Sequence, residues 1–212
     1  MPANDTVHAA AAKSATLSPA AEMAAAARDI TPLALGVAIY GAAFGLLAVQ
    51  AGLDGLQVGV MGSIVFAGSS QIIAVERLIA GSGAVAAIIA GLALNLRLLL
   101  VTASVRDIYA GRPFWQIALG AHLATDENWA LLVAGRHQGR AIGYWYLVGG
   151  GLTLLLAWVA STVVGATVAS AIPEPRALGL DFAFTAAFIA IARSLFRGRQ
   201  DVLPWAVALL VV

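Results

Sequence analysis

AVAAIIAGLALNLRLLLVTASV, residues 84–105, is the stretch whose reading decides the fold: it carries one charged side chain, Arg97. A helix of this length runs about 33 Å at 1.5 Å per residue, enough to cross a hydrocarbon layer of about 30 Å. As a soluble helix it would offer water no polar face. Five further segments share its character: 31–50, 57–75, 113–135, 144–164 and 177–192. Of the chain's 12 basic and 11 acidic side chains, the six segments hold only Arg97, Asp126, Glu127 and Asp181. A seventh apolar stretch starts at Val202 and reaches Val212, where the sequence stops; a truncation or a partner helix is expected to account for its short length. The expected fold is an all-α, polytopic membrane helix bundle with six complete spans and a shortened seventh.

Composition leads to the same class. Of 212 residues, 61% are hydrophobic and 11% charged, and the mean hydropathy is +0.90. Soluble domains carry about 25% charged residues, so a cytosolic enzyme and a disordered chain are both disfavoured. A net charge of +1 gives no reason to expect nucleic acid as a partner. Cysteine is absent, which removes disulfides and thiol chemistry. Residues 1–28 form an Ala-rich tail without the apolar core of a signal peptide. Within it, Ser18-Pro19 is a helix-start signal for a short surface helix over 19–29, and Thr31-Pro32 repeats that signal for the first span. The transporter domain is then 29–212.

If each segment crosses once and the N-terminus is cytoplasmic, eight basic residues lie inside: Lys13, Arg28, Arg77, Arg136, Arg140, Arg193, Arg197 and Arg199. Three lie outside, Arg106, Arg112 and Arg176. The excess favours that orientation.

Four places break the apolar pattern. Phe66-Ala67-Gly68-Ser69-Ser70-Gln71 puts a glycine, two hydroxyls and an amide inside the second segment. Such a run either unwinds the helix at 68–70, as in transporters that hold substrate at discontinuous helices, or forms a small-residue packing seam. Asn95-Leu96-Arg97 places a guanidinium about 12 Å below Arg106. It either snorkels outward or turns inward to a carboxylate. Asp126-Glu127 lies mid-way along 113–135, and neighbours on a helix point about 100° apart, so both face one target only if the helix breaks there. The other reading is a solvated turn. His122, four residues before Asp126, shares its helical face, yet two ligands make a poor metal site; no metal or other cofactor is expected. Asp181 reads as a cap or interfacial charge. Esterase elbow, metalloprotease and P-loop motifs are all missing. A weak repeat pairs 66–74 with 182–190 through Phe66/Phe182, Ala67/Ala183, Ile73/Ile189 and Ala74/Ala190.

Val65-Phe66-Ala67-Gly68-Ser69-Ser70-Gln71, then Asn95-Leu96-Arg97, then Thr125-Asp126-Glu127, with Gly179-Leu180-Asp181-Phe182 and Phe188, resembles the AzlC family over about residues 28–205. Where members often have histidine after Asn-Leu-Arg, this chain has Leu98. The resemblance implies the larger subunit of a two-component exporter of branched-chain or similar apolar amino acids, with a small AzlD-type membrane partner. It also implies a location in the cell membrane. Together with the polar residues, it makes Gly68, Ser69, Ser70, Gln71, Asn95 and Arg97 candidates for the substrate carboxylate. Asp126 and Glu127 become candidates for its ammonium group or a coupling proton, with His122 and Asp181 as weaker ones. A gated pore and a non-transporting scaffold subunit are the competing readings.

Overall fold

The structure, a computed structural model, describes residues 17–171, 198 and 202–211. Eight α-helices are described: α1 Pro19–Gln50, α2 Gly55–Val65, α3 Gly68–Ile79, α4 Gly83–Ser104, α5 Phe114–His122, α6 Asp126–His137, α7 Tyr144–Ala171 and α8 Val202–Val211. A short 3-10 turn, Arg106–Tyr109, precedes α5. No strand occurs among the described residues. Among the described residues three helices are long and apolar enough to cross a membrane: α1, α4 and α7 over Tyr144–Ala169. Only 11% of the apolar window of α4 is buried, an exposure of Ile88, Ile89, Leu92, Leu99 and Leu100 that suits lipid and not water. The segment 177–192, the residues 182–190 of the weak repeat and Asp181 lie outside the described residues.

Helix α1 begins at the first predicted start: Pro19 opens it, and Ser18 Oγ accepts from the Ala21 N–H at 3.3 Å. The second start signal does not act. Pro32 lies inside the helix, and Thr31 Oγ1 donates back to the Ala27 carbonyl at 2.7 Å instead of capping a new helix. The expected surface helix over 19–29 and the expected first span are therefore one element. The triplet Gly149-Gly150-Gly151 likewise leaves α7 unbroken.

Two compact units divide the chain, one from Met1–Ala34 and Gly91–Leu156, the other from Leu35–Ala90 and Ala157–Val212. In the second, α1 and α7 run parallel at backbone contact. Gly41 faces Ser161, and a Cβ on Gly165 would lie 2.9 Å from Ala42 Cα, closer than any side chain tolerates. Helix α2 is antiparallel to α7, with Gly55 beside Thr167, Gly59 beside Val163 and Gly62 beside Val159. It starts on a capping box in which Asp54 Oδ1 accepts the Gln57 N–H at 2.8 Å and Gln57 Oε1 accepts the Asp54 N–H at 2.9 Å. It ends at Phe66, left-handed at φ 32°, whose N–H donates to the Gly62 carbonyl.

The first unit corrects the predicted topology. Helix α5 runs alongside α7 in the same direction: Tyr144 Oη donates to the Gln116 carbonyl at 2.8 Å, and Leu123, just past α5, packs on Gly151. The chain then breaks at 123–125 and returns, with α6 taking Asn128 past Gly150 and Gly135 back to Ile142. At the shared end Arg136 pairs with Asp107, and the Arg112 guanidinium lies 4.0 Å over the Tyr144 ring. Helices of nine and 12 residues are about 13 and 18 Å long, each well short of a span. Segment 113–135 therefore doubles back where a single crossing is expected. Arg106 and Arg112 come to the same end of this unit as Arg136 and Arg140, so the eight-to-three excess no longer orients the chain.

Two tests follow from this end of the unit. In oriented vesicles, single cysteines replacing Ala110 and Gln138 should react with an impermeant maleimide from the same side; labelling from opposite sides would restore a single crossing. Hydrogen bonding from Arg136 holds the Asp107 carboxyl below its ordinary value of 3.8. The pair's stabilisation is thus complete above that value and fades as pH falls beneath it. The melting-temperature gap between wild type and Asp107→Asn should hold steady from about pH 7 to 5 and close below about pH 4.

Candidate functional site

The predicted site residues fall on two helix starts, one in each unit. In the first unit the break Leu123-Ala124-Thr125 ends α5 and caps α6. Thr125 takes an extended conformation, φ −127° and ψ 167°, and forms a capping box with Asn128. Asn128 is 1% exposed and uses its whole carboxamide. Its Nδ2 donates to the Leu123 carbonyl at 2.8 Å and the Leu147 carbonyl at 3.0 Å, while Oδ1 accepts the Thr125 N–H at 2.8 Å. Gly151 makes room for it, since a Cβ there would lie 2.9 Å from Nδ2.

That cap places Asp126 as the first residue of α6, where a carboxylate is favoured by the exposed amides of the helix start. Its Oδ2 meets Arg97 Nη1 from α4 at 2.9 Å, with the two side chains 44% and 51% exposed. Arg97 thus has a carboxylate partner, in a half-open pair. Glu127 follows at partial exposure. His122 closes α5, so the break puts it on a different helix from Asp126, and the expected shared face does not exist. Asn95 lies on α4, partly exposed, two residues before Arg97. Among the described residues no group of three or more His, Asp or Glu side chains is placed to hold a metal ion.

In the second unit the interruption falls at Phe66-Ala67, just ahead of the expected 68–70, and Gly68, Ser69, Ser70 and Gln71 form the opening of α3. Ser70 and Gln71 are buried, at 1% and 0% exposure. Gln71 Oε1 accepts the Trp158 indole N–H at 2.9 Å, and Gln71 Nε2 meets no acceptor among the described residues. Phe44 stacks on Trp158 with centroids 5.5 Å apart, and Tyr40 packs on it, tilted, at 5.5 Å.

Sequence reading passes over Asn128, Trp158 and a second charged cluster in the first unit. There Arg140 reaches Asp29 at 2.8 Å, Tyr146 Oη donates to Asp29 at 2.6 Å, and buried Glu22 accepts the Gly143 N–H. Hydrogen bonding to Asp29 holds the Arg140 guanidinium above its ordinary value. Burial pushes the phenol of Tyr109 up to about 12. The Thr125-x-x-Asn128 spacing is a capping-box pattern and was the legible signal for the α5–α6 break; nothing in sequence distinguishes Trp158 from an ordinary packing residue.

Long apolar helices, with polar helix starts beside backbone breaks, define an all-α membrane protein. The chain belongs to the AzlC family, whose profile, described as AzlC protein, matches residues 32–172; this is a membrane-transport-related family and not an enzyme family. The chain is also similar to a Helicobacter pylori protein described as an uncharacterized membrane protein. The two are 28% identical over 157 residues, which cover 74% of this chain and 68% of the relative. No solved structure matches it.

Asn128→Ala would leave the Leu123 and Leu147 carbonyls and the Thr125 N–H short of partners. Unpaired buried groups cost about 1–3 kcal/mol each, so a loss of about 3 kcal/mol is expected in detergent, read as a lowered melting temperature. An unchanged melting temperature would remove Asn128 from this role.

Proposed function

We propose that the chain is the larger subunit of a secondary exporter of branched-chain or similar apolar amino acids. It works in the cell membrane with a small AzlD-type membrane subunit and draws on an ion gradient. Family membership supports the class. The observation that carries the mechanism is the Arg97–Asp126 ion pair, set at 2.9 Å at the start of a helix that turns back within an apolar segment. Charged groups in such a place are costly and are kept for ion or solute passage. At 44% and 51% exposure the pair is weak enough to exchange partners. Asp126 or Glu127 takes the ammonium group of the solute or a coupling proton, and Arg97, once released from Asp126, turns to a carboxylate. The start of α3, with Gly68, Ser69, Ser70 and Gln71, serves the solute carboxylate through its uncharged polar groups.

The test is counterflow of labelled leucine in proteoliposomes holding the chain with and without the small subunit. Arg97→Gln and Asp126→Asn should each slow exchange by about tenfold or more at unchanged expression. The charge-swapped double variant Arg97→Asp/Asp126→Arg should recover part of it. Wild-type exchange by both single variants would discard the role of the pair.

A further inference from the structure

The chain uses one device twice. Phe66-Ala67-Gly68-Ser69-Ser70-Gln71 aligns without a gap on Leu123-Ala124-Thr125-Asp126-Glu127-Asn128. In each, a short helix ends, a bulky apolar residue and an alanine open the break, and a second short helix starts, one residue later in the alignment at Asp126 than at Gly68 because Thr125 also lies in the break. The sixth position in each is a carboxamide with almost no exposure, Gln71 at 0% and Asn128 at 1%. Each also bonds to α7, Asn128 to the Leu147 carbonyl and Gln71 to the Trp158 indole.

The two carboxamides differ in how they are satisfied. Asn128 spends both donor and acceptor on its own surroundings. Gln71 spends only its oxygen, and its two Nε2 hydrogens meet no acceptor among the described residues. Asn128 sits third after its cap, Thr125, and closes a capping box, whereas Gln71 sits fourth after Ala67, which offers no side-chain cap.

Trp158 decides which end of that amide is left over. An indole N–H donates and never accepts, so it bonds the oxygen and leaves the NH2 group directed elsewhere. The indole is itself wedged between Phe44, stacked at 5.5 Å, and Tyr40 at 5.5 Å. It lies against the first residue of α3, where a Cβ on Gly68 would come within 3.1 Å of Trp158 Cη2. One rigid ring thus touches both the Gln71 amide and the helix start.

We propose that Trp158 is a positioning residue that orients the Gln71 amide so that its NH2 group donates to a carboxylate oxygen of the transported solute at the start of α3. The inference rests on the assignment of Gly68–Gln71 to the solute carboxylate made above. A neutral amide and backbone N–H groups recognise a carboxylate through hydrogen bonds without a full countercharge, which permits release as well as capture.

The experiment compares Trp158→Phe, Gln71→Met and the double variant in proteoliposomes of the chain with its small subunit, using leucine exchange. Phenylalanine keeps the ring and its packing but loses the N–H; methionine keeps the length of Gln71 but loses both donors. Each single variant should raise KM by about tenfold with Vmax within about twofold. The double variant should be no worse than Gln71→Met alone, because Trp158 acts through the amide. Independent, multiplying losses, or a wild-type KM in Gln71→Met, would overturn the proposal. So would a wild-type KM in Trp158→Phe while the wild-type complex exchanges leucine normally. Absence of saturable exchange of leucine, isoleucine and valine by the wild-type complex would instead overturn the transport reading, and this inference with it.

Discussion

A helix interrupted inside an apolar layer frees N–H and C=O groups that no water can satisfy, and every other feature of this chain is arranged around that constraint. In the first unit Asn128 meets it with a side chain that does the work of missing backbone partners. It takes the Thr125 N–H and supplies donors to Leu123 and Leu147. In the second unit Phe66 meets it by turning left-handed, so that its own N–H closes the last turn of α2 on the Gly62 carbonyl. A bulky residue at positive φ is strained, and here it is held in place by burial at 6% exposure.

Satisfying the breaks in this way leaves two helix starts with different chemistry. That of α6 carries carboxylates, and Asp126 engages Arg97. That of α3 carries no charge: glycine and two serines lead to a glutamine whose oxygen is fixed by Trp158. An acidic helix start suits a cation or a proton, and a neutral one suits an anion.

Close packing by small residues is what allows both breaks to sit against α7. Gly151 admits the Asn128 amide in one unit and Gly68 admits the Trp158 ring in the other. With no hydrophobic drive between helices in lipid, these contacts rest on dispersion and on the hydrogen bonds just described. The glycines that the sequence suggests as helix interrupters, 149–151, act here as clearance within an intact helix. The interruption at 123–125 falls beside Gly151, between the neighbouring helices α5 and α6.

The amino-acid sequence by itself determined the class of fold, because hydropathy and the scarcity of charge are summed over whole segments and need no partner. It also located the polar residues of interest, since Arg97, Asp126 and Gln71 stand out against apolar neighbours wherever they point. It did not determine that 113–135 turns back, although the capping pattern at Thr125 and Asn128 was there to be read: 23 apolar-rich residues satisfy a length rule whether they cross once or half-cross twice. Tertiary structure alone decided that return, through Tyr144 on Gln116 and Leu123 on Gly151. It alone made Trp158 the partner of Gln71, 87 residues away. Direction and pairing depend on which surfaces meet across long loops of chain, and local composition carries no record of that.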